Sequence, residues 1–154
     1  MGMTEFIELI AATFGTLGFA VLFNVRGKKL IGVTLGGLLG WLAYVMASLL
    51  SFGEELCYFV AAVVISIYAE IMARVMKTPV TVIIAPALIP LVPGASLYYT
   101  MSHALEDSAS FATSAFRTLA IAAALAAGII SSAILTKLVT KGCSTLHQKL
   151  VKRQ

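Results

Sequence analysis

Charged residues are scarce in this sequence. Only 12 % of its 154 residues are Asp, Glu, Lys or Arg, whereas 60 % are hydrophobic. A soluble domain carries roughly 25 % charged residues, so this composition does not fit a soluble chain. The net charge of +4 does not indicate a nucleic-acid partner, because the basic residues lie in short loops and in the C-terminal tail. The sequence predicts an integral membrane protein that contacts a lipid bilayer and no nucleic acid.

Cysteine is nearly absent, and so are the motifs of soluble enzymes. Cys57 and Cys143 belong to no metal-type cluster, and the topology derived below places them on opposite sides of the membrane. There is no HExxH, no glycine-rich phosphate loop and no Cys/His cluster. We therefore expect no enzymatic activity, no metal and no cofactor, and we expect both cysteines to be inert small residues without a disulfide.

Long apolar stretches are what the sequence has in abundance. A hydrocarbon core of about 30 Å needs about 20 apolar residues as a helix, and four stretches meet that length. A further stretch is interrupted by prolines. The N-terminus lacks basic residues, so no separate signal peptide is expected. We predict an all-α polytopic bundle that forms one membrane domain over residues 1–154. Its segments are 6–25, 30–52, 56–76, 79–105 (broken) and 111–139, followed by a basic tail at 140–154.

Basic and acidic loops alternate along the chain. The positive-inside rule then places the N-terminus outside and the C-terminus in the cytoplasm, with no loop in conflict. If 79–105 were a re-entrant loop, the basic tail would lie on the same side as the acidic residues 54–55. A crossing is therefore favoured, and five spans are expected. The basic residues are Arg26, Lys28, Lys29, Arg74, Lys77 and those of the tail; the acidic ones are Glu54, Glu55, Glu106 and Asp107.

Small residues recur every four positions on three of the segments. Such ladders let membrane helices approach closely, so we interpret them as packing seams without chemistry. Five helices make a thin bundle, and a solute path needs more wall than that, so an oligomer or a second subunit is expected. The ladders are Ala11 with Gly15; Gly32, Gly36 and Gly40; and Ala120, Ala124, Gly128 and Ser132.

Three prolines and a glycine interrupt the fourth apolar stretch, at Pro86, Pro90, Pro93 and Gly94. An internal proline removes a backbone donor and clashes with the preceding turn, so a continuous helix is not expected here. Hydrocarbon satisfies no backbone groups, so broken backbone at membrane depth must face protein or an aqueous cavity. Transporters place their substrate and ion sites at such breaks. The sequence therefore predicts a discontinuous helix with a transport site.

We predict the site as a half-helix N-terminus in which Pro93 is the first helical residue. The amides that follow would point outward and bind a carboxylate, and the freed carbonyls of Pro86 and Ile89 would bind an ammonium group or a cation. The tyrosines of the second half-helix would line the path. The alternative is a kinked helix without a ligand. The predicted substrate-binding residues are Pro90, Pro93, Gly94, Ala95, Ser96, Tyr98 and Tyr99.

Charged residues inside apolar segments form the second group of candidates. Glu70 and Arg74 share a helix face with Ser66, and we assign them to proton or ion coupling. The alternative is an ion pair near the cytoplasmic interface, because Glu70 lies about two turns from the basic end of its segment. Arg117 is expected to pair with Glu106 or Asp107 as an interfacial clamp. Trp41 with Tyr44 is interpreted as packing.

The stretch from Ile89 to Met101, with its P-L-V-P-G-A-S-L-Y-Y core, resembles the signature of the threonine/serine exporter family. The length, the five segments and the short basic tail are similar to the small membrane subunit of split exporters, the equivalent of the C-terminal membrane half of fused ones. The resemblance implies a multi-pass protein of the bacterial cytoplasmic membrane that works with a larger membrane subunit. It implies export of threonine and serine, or of a dicarboxylate such as succinate.

The function predicted from the sequence is therefore a subunit of a secondary-active exporter of threonine, serine or a related small carboxylate, coupled to protons or another ion. A succinate exporter is an alternative, for which Arg74 or Arg117 would supply the second cationic group. Two further alternatives are a non-transporting scaffold subunit, docked through the small-residue ladders, and a homo-oligomeric pore.

Overall fold

The computed structural model describes residues 3–106 and 108–151, with side chains described for 3–105 and 110–138. These residues form six α-helices and one 3-10 turn, without a strand. The predicted all-α class is confirmed. The elements in order are α1 (Met3–Leu22), α2 (Lys28–Leu49), α3 (Glu54–Val75), α4 (Val80–Leu88), the 3-10 turn (Ile89–Leu91), α5 (Gly94–Glu106) and α6 (Ser108–Val151).

Four of the described helices are long and apolar enough to cross a bilayer, namely α1, α2, α3 and the 110–138 part of α6. The 3-10 turn extends α4 to Leu91, and this piece and α5 form a pair bent by 52°, which would be a fifth span if the pair crosses once. The helical backbone of α6 continues to Val151, so the predicted basic tail begins within this helix.

The first three helices end in the same kind of cap. Asn24, Ser51 and Lys77 have positive φ angles of 58°, 58° and 48°. The amide after each of them donates to a carbonyl five residues earlier, as Phe52 does to Ala47 at 3.4 Å. This left-handed cap satisfies carbonyls at the helix end and turns the chain back. Helices α1, α2 and α3 are therefore antiparallel neighbours.

The caps separate the charges into two ends of the bundle. The basic end carries Arg26, Lys28 and Lys77, and the acidic end carries Glu54 and Glu55. We use these two names below.

Two of the three predicted small-residue seams are closed within the described residues. A methyl group on Gly36 would lie 3.0 Å from the ring of Tyr68, because α3 packs directly on the backbone of α2. A methyl group on Gly128 would lie 2.8 Å from Ala62 Cβ, which shows the same close approach of α6 to α3. The seam on α1 is different: a methyl group on Gly15 would meet no atom within 4 Å, so this face is open.

Helices α3 and α6 lie side by side and run in the same direction. Near their starts, Arg117 Nε donates to Glu54 Oε2 at 2.7 Å. Further along both helices, Arg74 of α3 and Leu135 of α6 line one cavity. Because α3 ends at the basic end and α6 begins at the acidic end, the chain between them must travel the length of the bundle. The bent pair therefore travels the length of the bundle, as a single crossing would, and this agrees with the charge pattern.

The partner of Arg117 differs from the prediction. Sequence proximity favoured Glu106 or Asp107, whose side chains lie outside the described residues; the structure pairs Arg117 with Glu54. The parallel packing of α6 on α3 is the reason, since it brings the two side chains together at the acidic end. The predicted interfacial clamp therefore forms, but it joins two helices instead of closing a loop.

Candidate functional site

The predicted break lies between α4 and α5, over residues 89–93. Pro86 stays within α4, so the helix continues past the first proline. The backbone then tightens into a 3-10 turn around Pro90, and Val92 adopts φ −63° and ψ 128°. A residue before proline is pushed toward this extended conformation by the ring that follows, here that of Pro93. The second and third prolines together produce the break.

The break lies deep in the bundle. Leu91 is 1 % exposed and packs with Ala61 and Ile65 of α3. At 1.5 Å per residue these two positions are about 10 and 16 Å from the start of α3, a helix of about 33 Å. The break is therefore near mid-depth of the bundle.

Helix α5 begins with backbone donors that no described residue accepts. The Gly94 N–H donates at 2.7 Å to the carbonyl two residues earlier, and the Leu97 N–H donates at 3.0 Å to the carbonyl four residues earlier. The amides of Ala95 and Ser96 have no acceptor in the described part of the chain. Gly94 and Ala95 are also exposed. This helix start carries about half a positive charge, which attracts an anion.

Two details of the predicted break are wrong. The helix begins at Gly94, so Pro93 precedes it and is not its first residue. The Ile89 carbonyl, predicted to be free for a cation, accepts the Val92 N–H at 3.0 Å. The 3-10 turn explains this, because it pairs residues three apart and uses the carbonyl that a broken α-helix would leave open.

Among the described elements, α5 packs against α6 only. Its outer face is open, and Tyr98 and Tyr99 are 69 % and 59 % exposed there. These tyrosines could line a substrate path, as predicted, only if another helix lay opposite them, and no helix of the described residues does. Polar contacts between the two helices include Thr100 Oγ1 to Thr118 Oγ1 at 3.0 Å and His103 Nδ1 to Ser114 Oγ at 2.8 Å.

Part of the break opens into a cleft against α1. The cleft has a volume of about 390 Å³ and includes the open Gly15 face of α1. Pro90 is the predicted substrate-binding residue that lines it. We call this space the α1 cleft; its lining residues are Glu8, Ala11, Ala12, Gly15, Phe19, Trp41, Ile89 and Pro90.

Glu8 is the one ionisable residue in the lining of the α1 cleft. It lies within the membrane-spanning helix α1. Along this helix, Glu8 is closer to the acidic end than Thr16, the residue that packs against Gly37 of α2. It shares the cleft with Ile89 and Pro90, so it lies beside the break. Ionisable residues inside a membrane span are costly and tend to face a cavity or a partner.

Trp41, the single tryptophan, forms another part of the cleft wall. Its ring lies 5.2 Å from that of Tyr44, which in turn lies 4.9 Å from that of Tyr58. Trp41 also packs against the cluster that contains Leu91. Its Nε1 is buried and has no hydrogen-bond partner among the described residues. Trp41 therefore packs, as predicted, but it also brings an unsatisfied donor to the region of the break.

Glu70 and Arg74 lie near the basic end, apart from the break. The Arg74 Nη2 and Glu70 Oε2 atoms are 3.4 Å apart, and the two side chains are 58 % and 25 % exposed. They line a cavity of about 430 Å³ between α3 and α6, together with Thr136. The pair forms the ion pair weighed from the sequence, and its role in coupling stays a prediction.

No group of three His, Cys, Asp or Glu side chains in the described residues is arranged to hold a metal ion. Cys57 is 2 % exposed, and the side chain of Cys143 lies outside the described residues.

Sequence reasoning missed Glu8. Its signal was available, because Glu8 lies on the same helical stripe as Ala11 and Gly15, three and seven residues further on. That stripe was interpreted as a packing seam. A carboxylate in line with a small-residue stripe points instead to a face that something polar approaches.

The chain matches the family described as Threonine/Serine exporter, ThrE, over residues 8–135. The chain belongs to this family. The match contains both the break and the lining of the α1 cleft. Searches among curated proteins and among solved structures return no match. This ThrE-family chain is thus a multi-pass membrane protein of a transporter family, as the resemblance of residues 89–101 implied.

Proposed function

We propose that this ThrE-family chain is a subunit of a secondary-active exporter of threonine, serine or a related small carboxylate. The observation that carries the proposal is the break near mid-depth, where Ala95 and Ser96 have amides without acceptors. Such groups are stable in a membrane only when they face protein, water or a ligand. A substrate carboxylate would accept from both amides at the positive end of α5. The predicted substrate-binding residues Pro93 and Gly94 directly precede these amides, and Pro90 lies in the 3-10 turn before them.

The open face of α5 supports a larger partner subunit. Gly94, Ala95 and Tyr98 are exposed, and no described element except α6 covers α5. If lipid covered this face, each unsatisfied amide would cost about 2–7 kcal/mol. A larger membrane subunit of the same family, or a second copy of this chain, would complete the wall of the path. The assembly belongs in the bacterial cytoplasmic membrane.

Glu70 and Arg74 are our candidates for coupling export to a proton or another ion. The Glu70 carboxylate retains access to the cavity at the basic end, which is the end predicted to face the cytoplasm. Arg74 holds its charge when the proton is absent. Proton-coupled export requires a group that exchanges protons with the solution on each side of the membrane. The Glu70 carboxylate is a candidate for this role on the cytoplasmic side.

The test is a counterflow assay with labelled threonine, serine and succinate in proteoliposomes, with and without the larger partner. The variant is Gly94→Ala together with Ser96→Ala. A methyl group on Gly94 would meet no atom within 4 Å, so folding is unaffected. The backbone amides remain, but Ser96→Ala removes a hydroxyl that could donate to the substrate carboxylate, and Gly94→Ala places a methyl group where a ligand approaches the backbone. We expect exchange of threonine and serine to fall about tenfold, as for the loss of one hydrogen bond to a charged group. The control is Gly18→Ala, which is equally unhindered.

Unchanged exchange by the double variant, in an intact complex, would make the chain a scaffold subunit. Faster exchange of succinate than of threonine would make it a dicarboxylate exporter. Flux through liposomes that contain this chain alone would instead support a homo-oligomeric pore.

A further inference from the structure

Glu8 has no part in the site proposed above, although it lies beside the break. It lines the α1 cleft with Ile89 and Pro90. None of the residues that line this cleft is basic, so nothing in the described lining balances its charge. A carboxylate inside a membrane span requires a cavity and a partner, and here the cavity is present.

The arginines that the sequence offered as substrate-binding cations lie elsewhere. Arg117 pairs with Glu54 at the acidic end, and Arg74 pairs with Glu70 near the basic end. Neither of them lines the α1 cleft. Glu8 itself is exposed, so its carboxylate is accessible to a cationic molecule that enters the cleft.

Trp41 gives the cleft a second feature that suits a cation. The face of an indole ring attracts ammonium groups through its quadrupole. The buried Trp41 Nε1 has no acceptor among the described residues, but it is closed off from the cleft, so the ring and not this donor is the part of Trp41 that a bound molecule would meet. The rest of the lining is small or apolar, from Ala11 to Phe19, and it accommodates a short side chain.

We propose that the α1 cleft binds the primary ammonium group of a small molecule, with Glu8 as its counter-ion. The cleft volume of about 390 Å³ is in the range of small-molecule sites. The identity of the molecule rests on the proposed function, under which it is the exported amino acid. The site selects an amino acid over a dicarboxylate, because the second carboxylate of a dicarboxylate would be repelled by Glu8.

The fluorescence of Trp41 tests this directly, because the chain has no other tryptophan. The full chain is placed in phosphatidylcholine vesicles, which add no tryptophan, and titrated with three compounds. Threonine carries both groups, isopropanolamine is threonine without its carboxylate, and β-hydroxybutyrate is threonine without its ammonium group. We expect the first two to change the emission and the third to leave it unchanged. An equal response to β-hydroxybutyrate would overturn the proposal, and this comparison needs no variant to fold.

The variant Glu8→Gln removes the charge and keeps the size of the side chain. We expect the concentration for half-maximal response to isopropanolamine to rise about tenfold or more, since the hydrogen bond to a charged group is lost. The matched control is Glu5→Gln, on the same helix but outside the cleft lining, which should respond as the native chain does. A native response from Glu8→Gln would overturn the proposal.

The ammonium group has a second possible source in the headgroup of phosphatidylethanolamine. Vesicles that contain this lipid serve as a further arm. If the lipid alone changes the emission and the soluble amines do not, the assignment of the cleft to a substrate is wrong. Export assays distinguish this proposal from the proposed function. If the Glu8→Gln complex exports like the native complex, the cleft is not a substrate site, but the proposed function still stands. If the amine response depends on Glu8 but no export is observed, the proposed function is wrong, but the amine site still stands.

Discussion

Glutamate side chains occupy three settings in this bundle. Glu54 pairs with Arg117 at the acidic end, where both side chains keep much of their solvent contact. Glu70 pairs with one cation and stays 25 % exposed in a cavity near the basic end. Glu8 lines a cleft beside the break, without a basic residue in the described lining. All three residues are glutamates, so the residue type does not reveal their roles. A structural ion pair is distinguished from a candidate for transport chemistry by the partner of the carboxylate and by its depth in the bundle.

At the scale of the residue, we predict that Glu70→Gln uncouples export. Glutamine keeps a hydrogen-bonding oxygen but carries no transferable proton, so net export driven by a proton gradient should fall about tenfold or more. Counterflow exchange, which needs no net proton movement, should continue. Both rates are measured in the same proteoliposomes, with Glu55→Gln as the control. A parallel loss of both rates would mean that Glu70 is only a structural ion-pair partner.

At the scale of the element, the parallel pair of α3 and α6 positions the rest of the chain. The close approach at Gly128 and the ion pair between Glu54 and Arg117 fix its register. With that register set, α5 must return along the first part of α6, where Thr100 meets Thr118. The open face of α5 is therefore a consequence of how α6 packs on α3.

Charge reversal tests this register. Arg117→Glu should lower the thermal stability slightly, because it places two carboxylates together where an exposed ion pair stood. Glu54→Arg combined with Arg117→Glu should restore it, because the pair is re-formed with the charges exchanged. The measurement is thermal unfolding in detergent, followed by circular dichroism. Without a rescue by the double variant, Arg117 would have another partner.

The elements of this fold were predictable because their signals are local. Apolar length predicted the spans, and the prolines predicted the break, but not its depth. Contacts between elements were not predictable, because they depend on the register of one helix against another. The pairing of Arg117 with Glu54 is of this kind. The cleft between Glu8 and Pro90 is another, since α1 and the break are far apart in sequence.

At the scale of the whole molecule, the chain consists of two units that meet at α3. Helices α1, α2, α3 and α4 pack around a common core, and the described part of α6 attaches to it through α3 and carries α5. The two candidate sites follow this division. The α1 cleft lies within the first unit, and the open start of α5 lies at its border with the second.

Cysteine labelling tests the resulting five-span topology. In a background without Cys57 and Cys143, we expect Ser51→Cys and Leu105→Cys to react with a membrane-impermeant maleimide from outside the cell. Lys77→Cys should react only after the membrane is opened. The three positions are exposed at the ends of helices. If residues 79–105 were re-entrant, Leu105→Cys would behave like Lys77→Cys.

The broken span also has a consequence for biosynthesis. Each half, Val80–Leu91 and Gly94–Leu105, is about 18 Å long as a helix, whereas the hydrocarbon core is about 30 Å thick. Neither half can leave the translocon for lipid as a span of its own. Both halves must therefore be synthesised before either is released into the lipid. Because the prolines divide this span into two short helices, the two halves must enter the membrane together.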